Sequence, residues 1–263
     1  MGLELHYLDT KEDAGGALRH DAPLVILHGL FGSADNWRSH IKHWREVRRV
    51  IAIDLRNHGR SPHAEGMSYD VMAEDVLAVL DRLGVAHFDL LGHSMGGKVA
   101  MTIARRAPER IAHLIVADIA PIAYDHGHES IFAAMRRVEE DLPESRKEAD
   151  ALMAEAVNEP ATRMFLATNL VRDEQGVLTW RVGLDNIEQD YASIVAPPGG
   201  EGAFEGPTLV LRGGRSDYVS DASLAALKQV LPSARIVTLE RAGHWLHAEQ
   251  PERFQQEVDA FLD

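Results

Sequence analysis

One short stretch, GHSMG at residues 92–96, restricts the fold of this chain more than any other part of the sequence. A largely apolar run at residues 88–91 precedes it, and a helix-compatible run that ends before Pro108 follows it. A strand that turns into a helix within a few residues crowds its own backbone, so glycine is needed where a Cβ would clash. In this context the pattern G-x-S-x-G predicts a nucleophile elbow, with Ser94 at the tip of a strand.

The size and composition of the chain exclude several classes of protein. Its 263 residues can bury a sizeable core, as one large α/β domain or a domain with an insertion. The net charge of −14 argues against a nucleic-acid partner, which normally meets a basic surface. The lack of cysteine excludes disulfides, a cysteine nucleophile and thiolate metal sites. No membrane span and no signal peptide is evident, so we expect a cytoplasmic protein.

Apolar runs alternate with helix-like stretches on both sides of the pentapeptide. Continuous runs such as 23–27 and 50–53 are typical of strands that are buried on both faces, as in a parallel sheet. The predicted strands are 3–8, 23–27, 50–53, 88–91, 112–117, 208–211 and 235–239, and residues 17–20 are expected to pair back as a hairpin after Gly15 and Gly16. The alternation predicts an α/β fold with a mostly parallel central sheet flanked by helices.

The alternation is interrupted between residues 122 and 204, where no buried strand is evident. Helix-like stretches occupy this block at residues 129–142, 145–157, 161–170 and 184–191. A structureless connection of this length is rare in a compact domain. We therefore predict a helical cap at residues 122–204, inserted into an α/β core formed by residues 1–121 and 205–263.

Chemically suitable side chains follow several of the predicted strands, at the sheet edge where such folds carry their active sites. Ser94 follows the elbow strand, and His244 follows the last strand. A serine nucleophile needs a base within hydrogen-bond reach, and the base needs a carboxylate that fixes its tautomer. Asp217 follows the penultimate strand, the common place for this acid, whereas Asp118 follows the strand after the nucleophile. Spacing alone leaves both carboxylates open.

The oxyanion of a tetrahedral intermediate needs two hydrogen-bond donors. The backbone N–H of Met95 is predicted as one because Met95 follows the nucleophile, and the N–H of Leu30 is predicted as the other. Both side chains are expected to line the acyl pocket. Phe31, Trp245 and Asn169 complete the predicted substrate-binding residues. His126 and His128 have no third candidate ligand at a spacing typical of metal sites, so no metal site is predicted.

Several motifs together resemble the α/β-hydrolase superfamily. They are HGLFGS with DNW at residues 28–37, DLRNHGRS at 54–61, LGHSMGGK at 91–98 and AGHWLHA at 242–248. Three more, DIAP at 118–121, MFL with TNL at 164–170 and GGRSDYV at 213–219, narrow the resemblance to bacterial YbfF-type esterases and the abhydrolase-domain 11 group. The resemblance runs from the first strand to the last helix and is weakest around 140–160 and 195–205.

The resemblance implies an α/β-hydrolase fold with esterase or thioesterase activity on small-molecule acyl substrates, without a cofactor. In that group the acid can come from the position of Asp118, with a loop serine, here Ser216, assisting the histidine, so Asp118 is the preferred acid and Asp217 the alternative. The same triad serves C–C bond hydrolases, lactonases and acyltransferases, and a ligand-binding receptor of this fold is the alternative from another class. The acyl length, the leaving group and the oligomeric state stay open.

Overall fold

A single twisted sheet of seven strands organises the chain, whose computed structural model describes residues 2–11, 20–125 and 127–263. The strands of this sheet are β1 (Tyr7–Asp9), β2 (Leu24–Leu27), β3 (Val50–Ile53), β4 (Phe88–His93), β5 (Ile111–Ala117), β8 (Thr208–Gly213) and β9 (Ala234–Leu239). They lie side by side in the order β1-β3-β2-β4-β5-β8-β9. Only β1 is antiparallel to its neighbour, so the prediction of a mostly parallel α/β sheet is confirmed.

Helices follow most of these strands and cover both faces of the sheet. Their bounds are α1 (Arg38–Trp44), α2 (Tyr69–Arg82), α3 (Met95–Arg106), α4 (Glu129–Asp141), α5 (Arg146–Met153), α6 (Pro160–Ala167), α7 (Leu184–Gln189), α8 (Tyr191–Val195), α9 (Leu224–Val230), α10 (Leu246–Glu249) and α11 (Pro251–Leu262). Short 3₁₀ turns precede α1 and α9, and another follows α3. In the described ranges, no helix is both long and apolar enough to cross a bilayer.

The hydrophobic core has two parts, one on each face of the sheet. Successive residues of a strand point to opposite faces. Val25 and Leu27 of β2 therefore pack with α2 and α3, whereas Leu24 and Ile26 pack with α1 and α11. All four side chains are fully buried or nearly so, which explains the continuous apolar run.

The segment between β5 and β8 contains α4–α8 and a small antiparallel hairpin. The hairpin pairs β6 (Leu170–Arg172) with β7 (Leu178–Trp180), two strands that are only partly buried and that the sequence did not predict. Strands of three residues are too short to show an alternating pattern in the sequence. The hairpin also explains why α6 ends at Ala167, before the predicted boundary. The division into a core and a cap at residues 122–204 stays a prediction.

The first strand is shorter than the predicted 3–8. Its ladder with β3 begins at Tyr7, because Leu3 instead donates its backbone N–H to Asp75 Oδ1 on α2, at 2.7 Å. Leu5 N–H then closes a turn onto Leu3 O at 3.1 Å. The glycine turn and the hairpin expected after it fall almost entirely on residues 12–19, which lie outside the described part of the chain, as does His126.

Candidate active site

The turn between β4 and α3 lifts Ser94 out of the sheet edge. Ser94 adopts φ 52° and ψ −121°, a conformation that L-residues rarely adopt. Flanking glycines make the turn possible, because a Cβ on Gly92 would lie 2.2 Å from the carbonyl oxygen of Gly96. A Cβ on Gly96 would lie 2.5 Å from the carbonyl oxygen of His28. The backbone conformation therefore matches the nucleophile elbow that the pentapeptide predicts.

Three side chains form a continuous hydrogen-bonded series at this edge. His244 Nε2 lies 2.9 Å from Ser94 Oγ, and His244 Nδ1 lies 2.7 Å from Asp118 Oδ2. A neutral imidazole that donates from Nδ1 to the carboxylate has an unprotonated Nε2, which accepts the serine proton. The geometry is that of a nucleophile, its base and the group that orients the base.

Asp118 and Asp217 differ sharply in their surroundings. Asp118 follows β5 and is fully buried, and its Oδ1 accepts the backbone N–H of Gly213 at 2.8 Å. Its Oδ2 accepts from His244 and also from the hydroxyl of Ser216. Asp217 has an exposed side chain in the loop after β8. Of the two open candidates, the structure places Asp118 against the histidine.

Two aromatic rings hold the His244 imidazole in place. The Tyr218 ring stacks on it with centroids 4.0 Å apart, at an interplanar angle of 21°. His93 donates its Nε2–H to the His244 carbonyl oxygen at 2.8 Å, and burial keeps the pKa of His93 well below its usual range. The sequence analysis assigned no role to either residue, although both lie next to predicted site residues, Ser94 and Asp217.

The two residues predicted to donate to the oxyanion, Met95 and Leu30, share a cavity with the serine. Met95 is the first residue of α3, so its N–H has no acceptor within the helix. Leu30 lies in the tight turn that Gly32 N–H closes onto Gly29 O at 2.9 Å. Met95, Leu30 and Ser94 line one common cavity. Both residues predicted to supply an oxyanion donor therefore lie at the same cavity as the nucleophile.

A buried histidine and an asparagine fix the loop that carries Leu30. His28 Nδ1–H donates to the Gly29 carbonyl at 2.8 Å, and His28 Nε2 accepts the Leu55 N–H at 3.0 Å. Burial lowers the pKa of His28, which keeps the ring neutral and both bonds intact. Asn169, predicted to contact substrate, donates its amide to the Phe31 carbonyl at 2.7 Å instead.

Ser94 opens onto two cavities, which we call the wide arm and the narrow arm. The wide arm, of about 550 Å³, is lined by Phe31, Trp37, Phe165, His244, Trp245 and His247, among others. The narrow arm, of about 370 Å³, is lined by Tyr69, Lys98, Tyr124, Ile194 and Tyr218 together with Met95. Leu30, Ser94 and His128 line both arms. Phe31 and Trp245 thus lie where the sequence predicts a substrate pocket, whereas Asn169 is not among the lining residues.

Lys98 is a site residue that sequence reasoning missed. It lies one helical turn after Ser94 on α3 and lines the narrow arm, with only 1% of its surface exposed. Burial lowers its pKa to about 7. The available signal was a lysine four residues after the nucleophile, in a run at residues 95–104 whose other side chains are uncharged.

The fold and this geometry agree with a comparison against known families. A model of the alpha/beta hydrolase fold matches residues 22–251, which is most of the chain. The chain belongs to the α/β-hydrolase family. The fold of this hydrolase is also that of a solved marine microorganism esterase, with a TM-score of 0.92, 38% identity and 99% of this chain and 100% of that one covered.

Curated relatives of this hydrolase span most of its length. It is 41% identical over 247 residues to the sn-1-specific diacylglycerol lipase ABHD11 of Mus musculus, covering 91% of this chain and 80% of the relative. It is 36% identical over 259 residues to Esterase YbfF of Escherichia coli, covering 97% and 99%. The resemblance to YbfF-type esterases and the abhydrolase-domain 11 group is therefore confirmed.

Proposed function

We propose that this α/β hydrolase is a serine hydrolase that cleaves carboxylic esters or acyl thioesters through an acyl-enzyme. The observation that supports the proposal is the hydrogen-bonded series from Ser94 through His244 to Asp118, set where two cavities meet. The names of the relatives, an esterase and a lipase, support an ester substrate.

Acylation starts at the Ser94 hydroxyl. Its oxygen attacks the carbonyl carbon of the substrate while His244 Nε2 takes the proton, and the Asp118 carboxylate stabilises the resulting imidazolium. The electrons of the carbonyl double bond move to its oxygen, where the N–H groups of Leu30 and Met95 donate to the developing charge. The tetrahedral intermediate collapses when His244 returns the proton to the leaving alcohol or thiol. A water molecule then repeats the sequence on the acyl-serine and releases the acid.

In this proposal the acyl group and the leaving group of the substrate bind in different arms. The leaving group must lie within reach of His244, which protonates it, and His244 lines the wide arm. The narrow arm is lined by Met95 and Lys98, which follow the nucleophile, and His244 is not among its lining residues. The acyl group therefore occupies the narrow arm in this proposal.

The segment at residues 122–204 acts as a cap over this site in the same proposal. Ile131 of α4 and Phe165 of α6 contribute apolar surface to the wide arm. Ile194 and Val195 of α8 contribute to the narrow arm. Because the core supplies the reacting groups and the cap supplies much of the walls, the cap sets which acyl and leaving groups fit.

Turnover of model esters, with and without Ser94, tests the proposal. The wild-type protein is incubated with p-nitrophenyl esters and CoA thioesters of increasing acyl length, and labelled with a fluorophosphonate. We expect turnover and labelling in the wild type, and loss of both in Ser94→Ala. Ser39→Ala, at an exposed serine on α1, is the matched control and retains both signals. Turnover or labelling that survives Ser94→Ala contradicts the assigned nucleophile, and their absence from the wild type favours a ligand-binding receptor.

A further inference from the structure

The position of Lys98 on the nucleophile helix connects it to the reacting serine. Residues four apart on a helix lie on the same face, and side chains tilt toward the helix N-terminus. Lys98 follows Ser94 by four positions, so its long side chain runs beside the narrow arm, which both residues line. Lys98 is the one ammonium or guanidinium group among the described residues that line this arm.

The surroundings of the Lys98 ammonium group supply dipoles and aromatic faces but no negative charge. Its Nζ donates to the carbonyl oxygens of Ala196 at 2.5 Å and Val195 at 3.3 Å, at the end of α8. The rings of Tyr124 and Tyr69 lie 4.7 and 5.5 Å from Nζ. Within the described residues, no Asp or Glu pairs with Lys98, and none lines the narrow arm. A buried cation without a counter-ion is a costly arrangement that proteins normally avoid.

The hydroxyl groups of the tyrosines near Lys98 donate hydrogen bonds to backbone carbonyls. Tyr69 donates its hydroxyl to Ile194 O at 2.5 Å, and Tyr124 donates to Tyr218 O at 2.6 Å. An ammonium group has three N–H donors, and the Ala196 and Val195 carbonyls take two of them. One donor of Lys98 therefore remains for a group that enters the arm.

We propose that Lys98 binds a carboxylate at the far end of the substrate's acyl group, so that the enzyme prefers half-esters of dicarboxylic acids to neutral esters of matched length. The proposal rests on the proposed function, since it names the acyl class that the narrow arm accepts. A carboxylate supplies the counter-ion that the described lining residues do not, and a charge-assisted hydrogen bond is among the stronger polar contacts. The lowering of the Lys98 pKa to about 7 by burial agrees with a site whose anion arrives with the substrate.

Matched alkyl esters measure the preference directly. Monomethyl malonate, succinate, glutarate and adipate are each compared with the neutral methyl ester of equal carbon number, such as monomethyl glutarate with methyl pentanoate. Alkyl esters avoid the rapid self-cleavage that aryl half-esters undergo through their own carboxylate. In the wild type we expect kcat/KM for one half-ester to exceed that of its neutral partner by about 10-fold or more, because one length places the carboxylate at Lys98.

Two substitutions separate anion binding from a purely structural role of Lys98. Lys98→Met removes both the charge and the hydrogen bonds to Val195 and Ala196, whereas Lys98→Gln removes the charge and keeps an N–H donor on a shorter side chain. We expect both variants to lower the half-ester preference by about 30-fold, because an uncompensated carboxylate is then buried. A purely structural role of Lys98 predicts a different pattern. In that case Lys98→Gln keeps the wild-type kcat/KM for both esters, and the half-ester preference does not change. That pattern overturns the proposal, as does a wild type without any preference.

A binding measurement keeps the proposal testable if a variant folds poorly or if turnover fails. In the Ser94→Ala background, calorimetry compares binding of monomethyl glutarate and methyl pentanoate with and without Lys98→Gln, and thermal melting checks the fold. Selective, Lys98-dependent binding of the half-ester supports the anion site even when no ester is hydrolysed. Absence of Ser94-dependent turnover instead contradicts the proposed function, so the two failures are distinguishable.

Discussion

The loops that form the floor of the site and the segment that covers it differ in how they hold many of their polar side chains. We use the word floor for the loops after β2, β4, β5, β8 and β9. There, polar side chains such as His28 and Asp118 are buried and bonded to backbone groups. In the segment at residues 122–204, a charged group such as Arg136 lies at the surface and pairs with Asp185 and Glu188.

Backbone conformation shows the same contrast. Three floor residues, Phe31, Ser94 and Asp118, have φ between 52° and 59°, the left-handed region that L-residues rarely occupy. In the covering segment, Leu142 is the non-glycine residue with such a φ among those described, and 58% of it is exposed. Strained backbone persists where many buried contacts hold it. Single substitutions in the floor should therefore cost far more than substitutions at the surface.

The largest effect should come from comparing the two carboxylates that follow β5 and β8. Asp118→Asn should lower kcat about 10⁴-fold, because an amide at this position favours the wrong tautomer of His244. Asp217→Asn, at an exposed side chain of similar sequence context, should change kcat by less than about 2-fold. Kinetics on one p-nitrophenyl ester measures both, with melting curves as the check on folding. Equal losses of kcat in the two variants would contradict the assignment of different roles to the buried and the exposed carboxylate.

Acid should destabilise the protein through buried histidines in and beside the floor. Burial lowers the pKa values of His58 and His247 to about 3, whereas in the unfolded chain they are near 6.5. Between these values only the unfolded state binds the protons, so stability falls as pH falls. From pH 7 to pH 5 each histidine should remove about 2 kcal/mol from the free energy of unfolding, measured by urea titration.

A matched pair of substitutions isolates this contribution from that of the carboxylates. His58→Gln should reduce the loss between pH 7 and pH 5 by about 2 kcal/mol, because the titrating ring is gone. His87→Gln, at an exposed position outside the floor, should leave the loss unchanged. If both variants keep the wild-type pH dependence, protonation of His58 does not contribute to the loss of stability in acid.

The sequence predicted the floor better than the covering segment, for physical reasons. The elbow could be read from residues 92–96, because only glycine tolerates an approach so close that a Cβ on Gly92 would lie 2.2 Å from the Gly96 carbonyl oxygen. Spacing did not decide the acid, since Asp118 and Asp217 both follow strands. The preference for Asp118 came from the family resemblance, because the burial that separates the two depends on the packed fold. The hairpin formed by β6 and β7 was missed because it is stabilised by a few residue pairs rather than by a pattern.

Contacts between the floor and the covering segment were the least predictable part of the site. Lys98 and Asn169 each join the two regions through backbone carbonyls, those of Val195 and Ala196 in one case and that of Phe31 in the other. Backbone partners leave no signature in the sequence, since every residue carries a carbonyl group. Asn169 was therefore assigned to the substrate, although its amide is bonded to the loop that carries Leu30.

The smallest of the predicted effects concerns this contact between Asn169 and the Leu30 loop. Asn169→Ala removes the donor to the buried Phe31 carbonyl, and the loop that carries the Leu30 N–H then loses one of its side-chain anchors, of which His28 is another. We expect kcat to fall about 10-fold with KM little changed, because a misplaced oxyanion donor costs mainly transition-state stabilisation. Asn158→Ala, an exposed asparagine in the same segment, is the control and should leave kcat within about 2-fold. A rise in KM with constant kcat would instead place Asn169 in substrate binding, and the two regions would then meet at the substrate rather than at the backbone.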